Sequence, residues 1–396
     1  MTADAWFVTV RAVSLWISAL GAAFVVVGLT GVLRWSGDRP AAATAGWYPD
    51  PCSRRARRRR WDGDTWTSEV ADGGAPADRG RRFRGRFWGW AWVLPLVAAV
   101  VVVVVGGGFW LRTRDDGVLL AMSVVAMALG ALAFYRFVDR QLALHEVVSG
   151  RTVLAAALAG VGTTILVAAP LDDLIITHVS LSAGLAMSGP VEEMTKLLVP
   201  IAAFLLAGLR SPRAGIAMGL ASGFGFAVME AGLYAHTVPL GGSPDPCTGG
   251  ALPSPSTTFD FYEQINRLVL AEPLHWLATG FAVTVIWRQW HRGGPRLTVP
   301  AVGAVLLVMA AHSSFDTSTL LGCGGAGGAA VVYLVHYGVP FGLYLLLRAA
   351  ARRSLPPALV GRVSRGWHPR RLAGEEAPAT VPVEPARDGE HPSVSA

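Results

Sequence analysis

The uncharged run from Trp88 to Trp110 limits what this chain can fold into more than any other feature. An apolar stretch of about 20 residues matches the hydrocarbon thickness of a bilayer when it is helical. In lipid the backbone must satisfy its own hydrogen bonds, so a helix is the natural form of such a run. Comparable runs recur at 12–33, 117–138, 152–170, 190–209, 214–236, 266–287, 298–315 and 329–348. The chain therefore reads as an all-α polytopic membrane protein of about nine transmembrane helices. A content of 52% hydrophobic and 15% charged residues excludes an ordinary soluble enzyme. Between Leu174 and Met187 the sequence is only moderately apolar and reads as an interfacial helix or a tenth span.

The net charge of +7 does not point to nucleic acid, because of where the arginines lie. Arg140, Arg151, Arg210, Arg213, Arg288, Arg292, Arg296, Arg348, Arg352 and Arg353 gather in alternate loops and span ends, while 171–189, 237–262 and 316–328 hold no arginine or lysine. The positive-inside rule then predicts a multi-pass cell-membrane protein with its N-terminus outside and its C-terminus cytoplasmic. Arg11, Arg112, Arg114 and Arg267 run against that assignment. The first run is too long and its leader too weakly basic for a cleaved signal peptide, so it reads as a retained anchor. Cys52, Cys247 and Cys323 lack metal-ligand spacing. Cys247 and Cys323 fall in outside loops, where a disulfide is permitted.

The predicted order is a first anchor at 1–33, a small cytoplasmic module at 44–70, a basic linker at 71–87, a multi-span domain at 88–353 and a disordered Pro-, Arg-, Glu- and Ala-rich tail at 354–396. The module carries Gly46-Trp47-Tyr48-Pro49-Asp50-Pro51 and Arg60-Trp61-Asp62-Gly63-Asp64-Thr65-Trp66-Thr67. Pro49-Asp50 and Asp62-Gly63 read as turns beside short strands, and the Arg54–Arg60 run between them as a solvated loop near anionic lipid. No base-reading architecture accompanies it, so nucleic acid is not an expected partner. The two aromatic motifs resemble the DUF2510 module, which implies no defined activity.

Ionisable residues interrupt four of the apolar runs. Gly189-Pro190-Val191-Glu192-Glu193-Met194-Thr195-Lys196 holds two carboxylates and the only lysine among 34 basic residues. At helical spacing Lys196 reaches either glutamate. Glu230, then His275, then His312 with Asp316 follow on later runs, and the proposed topology places all of them in the outer half of the membrane. Charged groups at that depth are costly and point to function. Gly215, Gly219 and Gly223 allow close helix approach near Glu230, although GxxxG spacing alone is a weak signal. Each residue also has a plain structural reading. Gly189 and Pro190 could cap and start a helix with acidic residues in its first turn; Glu230 could pair with Arg267, His275 could be a bonded core histidine, and Asp316 could cap a helix end.

Taken in order, Glu192-Glu193-x-x-Lys196, Phe226-x-x-x-Glu230, His275 and His312-x-x-x-Asp316 resemble the PrsW intramembrane proteases, of the superfamily that also holds the type II CAAX prenyl proteases. The prenyl proteases end the second motif in histidine, so Glu230 favours the PrsW branch. The resemblance implies peptide-bond hydrolysis in the membrane, with a membrane-protein substrate such as an anti-sigma factor. It implies Glu192 or Glu193 as general base and His275, His312 and Asp316 as metal ligands or oxyanion stabilisers. Glu230, His275 and His312 are the expected metal ligands, and both a Zn2+ site and a metal-free glutamate protease remain open. Carboxylates and histidines inside a bundle also suit a proton-coupled transporter, and a non-catalytic membrane scaffold would tolerate their replacement.

Overall fold

The computed structural model describes residues 3–36, 45–50, 57–62, 66–72, 92–142, 144–237, 272–318, 320, 326–353 and 357. The three cysteines, Arg267, the linker beyond residue 72 and, except for residue 357, the tail after residue 353 lie outside the described residues. The helices are α1 (Ala3–Trp35), α2 (Val93–Thr113), α3 (Asp116–Leu142), α4 (Gly150–Thr163), α5 (Ala169–His178), α6 (Leu181–Leu206), α7 (Pro212–Thr237), α8 (Glu272–Gly293), α9 (Val299–Thr317) and α10 (Ala326–Arg352). Seven membrane-length apolar segments are present among the described residues, with α4 and α5 forming one of them. The helices α6 and α8 match these in length at 26 and 22 residues, but the polar residues of the site interrupt their apolar surface.

The α7 helix is the centre of the bundle and packs against α3, α4, α6 and α8. Its small residues make this possible. An added Cβ at Gly215 would strike the Trp287 ring, one at Gly219 would meet Thr279 O and Val283, and one at Gly223 would meet the Trp276 backbone. These three glycines lie on the face toward α8. On the opposite flank, a Cβ at Gly225 would run into the Ala157 carbonyl of α4. Close backbone approach is how small residues bind helices together in a membrane, where no hydrophobic force separates helix from lipid. At the periphery, α1 packs on α4 and α2 on α3.

Two expectations about the site segment are corrected here. The stretch 174–187 is not a helix of its own, because it holds the end of α5 and the start of α6. A π-helical turn at Thr164–Ala168 carries α4 directly into α5. The chain then breaks at Val179–Ser180, and Ser180 caps α6 by accepting from Ala183 N at 3.0 Å. Gly189 and Pro190 are consequently in the interior of α6, and Glu192 and Glu193 are not in a first turn. Glu192 lies about 17 Å into the helix, at about 1.5 Å per residue, rather than near its end.

A proline inside a helix lacks the N–H that would bond the carbonyl four residues back. Both prolines of α6 have that loss made good from another helix. Pro190 frees the Ala186 carbonyl, and Ser313 Oγ of α9 donates to it at 2.7 Å. Pro200 frees the Lys196 carbonyl, and Ser222 Oγ of α7 donates to it at 2.7 Å. Hydroxyls of neighbouring helices thus stand in for the missing backbone donors.

The aromatic module is a three-stranded antiparallel sheet of order β1 (Gly46–Pro49), β2 (Arg57–Trp61) and β3 (Trp66–Asp72). Part of the arginine run, expected as a loop, is its central strand, paired from Trp47↔Arg60 on one side to Arg58↔Ala71 on the other. The alternation of a strand explains how so much charge is accommodated. Arg58 and Arg60 are exposed, while Arg59 turns inward to Asp50 at 3.3 Å and to Thr67 O at 3.1 Å. Trp61 is buried edge-on to Trp66 at 5.3 Å.

Candidate active site

Four helices deliver their ionisable residues to one buried place. α6 brings Glu192, Glu193 and Lys196, α7 brings Glu230, α8 brings His275, and α9 brings His312 and Asp316. Glycines set the spacing around it. An added Cβ at Gly189 would strike Met309 O and Ser313 of α9, one turn from His312, and one at Gly223 would meet His275 O at 2.9 Å. The backbones therefore touch beside the residues that must meet.

Lys196 is the hub. Its ammonium donates to Glu193 Oε1 at 2.8 Å, to Glu192 Oε2 at 3.2 Å and to His275 Nδ1 at 2.7 Å. The Phe226 ring lies 3.9 Å beneath it, a cation–π contact that accounts for the phenylalanine of the second motif. Nδ1 of His275 accepts from the lysine, and its other ring nitrogen, Nε2, lies 2.6 Å from Glu230 Oε2. His312 Nδ1 donates to Glu193 Oε1 at 2.9 Å, and its Nε2 lies 3.3 Å from Glu192 Oε2 and 3.4 Å from Asp316 Oδ2. Asp316 Oδ2 also accepts from Ser188 Oγ at 2.5 Å.

The two glutamates have different surroundings. Glu193 is wholly buried and takes three donors, from Lys196, His312 and, at 3.2 Å, Thr279 Oγ1. Glu192 has 7% of its surface open, and its Oε2 is shared by Lys196 and His312. Glu192 Oε1 has no partner among the described residues. Adjacent in sequence, one carboxylate is clamped and the other retains a vacant acceptor.

Three groups at the site escaped the sequence reading. Thr279 lies one turn beyond His275 and Ser188 one turn before Glu192, so helical periodicity could have found both. Asp172 of α5 could not be found that way, because its place depends on how α5 folds back on α6. Its carboxyl group stands within electrostatic range of Glu230, His312, Lys196 and Asp316.

Glu192, His275 and His312 also form a donor set for a metal, with one ligand atom from each lying within 4.8 Å of the others. The Glu192 Oε2 separations of 3.3 Å to His312 Nε2 and 3.6 Å to His275 Nδ1 are close to the edge of about 3.4 Å expected for a tetrahedron with metal–ligand bonds of about 2.0–2.1 Å. Two imidazoles and a carboxylate are the catalytic zinc set of His2Glu type. As donor types these residues fit a zinc ion, which would take the place of the Lys196 ammonium at Glu192 Oε2 and His275 Nδ1. The carboxylate in this group is Glu192, whereas Glu230, expected as the ligand, lies against the far nitrogen of His275 at 2.6 Å.

No curated protein and no solved structure matches the chain. The family model of a protein of unknown function, DUF2510, matches residues 45–79, the region of the three-stranded sheet. The model of the PrsW family intramembrane metalloprotease matches residues 147–346, which takes in α4 to α9, most of α10 and every residue of the cluster. That match spans just over half of the 396 residues, and the chain belongs to the PrsW family of intramembrane metalloproteases.

Proposed function

We propose that the buried cluster hydrolyses peptide bonds of membrane-embedded segments, with Glu192 as the general base. The observation that carries this is the inequality of the glutamates: Glu193 spends its lone pairs on three donors, and Glu192 keeps an oxygen for water. Glu192 takes a proton from that water, and the water oxygen bonds the scissile carbonyl carbon. The carbonyl oxygen becomes an oxyanion beside the Lys196 ammonium, the positive charge fixed 3.2 Å from Glu192 Oε2. The C–N bond then breaks as the proton held by Glu192 passes to the departing amine nitrogen. Glu230 and Asp316 orient His275 and His312, and Glu193 with Thr279 holds Lys196 in place.

Glu192, His275 and His312 are the residues that would hold a zinc ion, which supplies Lewis-acid polarisation and a more acidic bound water. For the substrate, we infer a single-span membrane protein, with an anti-sigma factor as the specific member that the family resemblance favours. Loop arginines support an N-terminus outside and a C-terminus in the cytoplasm. The DUF2510 sheet is then a cytoplasmic domain carried between the first two spans.

The test is cleavage of single-span proteins by the purified chain in lipid, comparing wild type with Glu192→Gln, Glu193→Gln and His275→Ala, with metal content measured on the same samples. Loss of cleavage in folded variants is the expected result, and zinc retained by wild type but lost from His275→Ala selects the metal-assisted route. Variants that cleave as well as wild type would remove the cluster from the chemistry.

A further inference from the structure

We propose that Asp172 is a substrate-binding carboxylate of this site, recognising an arginine or lysine side chain of the membrane segment to be cleaved. This rests on the protease reading for the nature of the ligand. Its basis is a buried oxygen and a helix register.

Asp172 Oδ1 is buried and has no hydrogen-bond partner among the described residues. Native proteins rarely leave such an atom unsatisfied, because an unmade bond forfeits the whole cost of desolvating it. The register shows where the carboxylate stands. The two-residue break at Val179–Ser180 folds α5 back along α6, and an added Cβ at Gly184 would strike the Ile176 side chain. One turn further along this antiparallel pair, Asp172 is level with Ser188, whose hydroxyl holds Asp316. Its electrostatic neighbours, Glu230, His312, Lys196 and Asp316, agree with that position.

The chemistry of the missing partner follows from the charge around it. Four carboxylates, Glu192, Glu193, Glu230 and Asp316, already surround a single ammonium, and that ammonium is occupied by Glu192, Glu193, His275 and the Phe226 ring. A fifth carboxylate with an open oxygen in such a place calls for a cation from outside. Access exists, since no residue of α5 is fully buried and its attachment to α4 is a π-helical turn, a feature frequent at functional sites.

The experiment measures binding, so it does not depend on turnover. Fluorescent single-span peptides, in pairs that differ only by arginine or glutamine, are titrated against the full chain in detergent, with the arginine moved through successive positions. At one or a few positions wild type should bind the arginine peptide about tenfold more tightly, the scale of one charge-assisted hydrogen bond. Asp172→Asn should abolish the preference, Asp172→Glu should retain much of it, and Asp173→Asn, at an exposed neighbour, should leave it unchanged. No preference at any position, or a preference that survives Asp172→Asn, overturns the proposal. A preference that depends on Asp172 in a protein that cleaves nothing would instead overturn the protease reading and leave the binding site standing.

Discussion

The helices α2 and α7 are both membrane-length and carry few charges, yet their surroundings are opposite. Only 22% of the α2 span is buried inside the protein, against 78% of the α7 span. The α2 helix is rich in valine, and Val97, Val100, Val101, Val104 and Val105 all face outward. The α7 helix is rich in glycine and alanine and is enclosed. In water the more apolar helix would be the core. In a bilayer the lipid accepts branched apolar side chains as readily as the protein does, so the core goes to the helix that lets backbones approach and that carries the polar site.

The largest effect expected from this contrast is on chemistry at the enclosed end. Glu192→Gln should lower the cleavage rate about 100- to 10,000-fold, the usual contribution of a general base, measured by gel-resolved product formation from a reconstituted single-span substrate. No substitution confined to the outward valines of α2 should approach that.

Next in size is the loss of the hub. Lys196→Met leaves buried carboxylates without their cation and should cost about 3–5 kcal/mol of stability, seen as a lowered unfolding temperature in detergent. Retention of wild-type stability would mean that Glu192 and Glu193 are neutralised by something other than Lys196.

The contrast itself can be broken by a matched pair. Gly225→Leu in α7 has no space beside the Ala157 carbonyl, whereas Gly108→Leu in α2 meets nothing within 4 Å. The first should destabilise by about 1–3 kcal/mol or more and the second by less than about 0.5 kcal/mol. Equal effects would show that α7 is not the closely packed centre. The smallest effect belongs to the serines that serve the α6 prolines. Ser222→Ala and Ser313→Ala should each cost about 1 kcal/mol, and pairing Ser313→Ala with Pro190→Ala, which restores an N–H for Ala186, should recover much of it.

Membership of the bundle and the members of the candidate cluster were legible in the sequence for different reasons. A span is a sum of local transfer energies, so its existence can be read from one window of residues. The cluster was legible because charge in such a window is costly, which made Glu192, Glu193, Lys196, Glu230, His275, His312 and Asp316 conspicuous. Boundaries were less secure. Pro190 reads as a helix start because it has no N–H to give, and nothing near it in sequence reveals that Ser313, 127 residues beyond Ala186, bonds the carbonyl left open there. The arginine run reads as a loop by composition, although its alternation fits a strand once Asp50 and the flanking tryptophans are placed against it.

The sequence by itself determined that this is a helical membrane protein, that a small aromatic module is carried near its N-terminus, and that Glu192, Glu193, Lys196, Glu230, His275, His312 and Asp316 are the residues to look at together. Tertiary structure alone decided that α6 runs through Pro190, that Glu193 is clamped while Glu192 keeps an open oxygen, and that α5 folds back along α6 with Asp172 on it. The physical reason is one of range. Burial in lipid is a property each segment has by its own composition. Hydrogen bonds such as Ser188 to Asp316, 128 residues apart, exist only after helix packing has set the distances between segments.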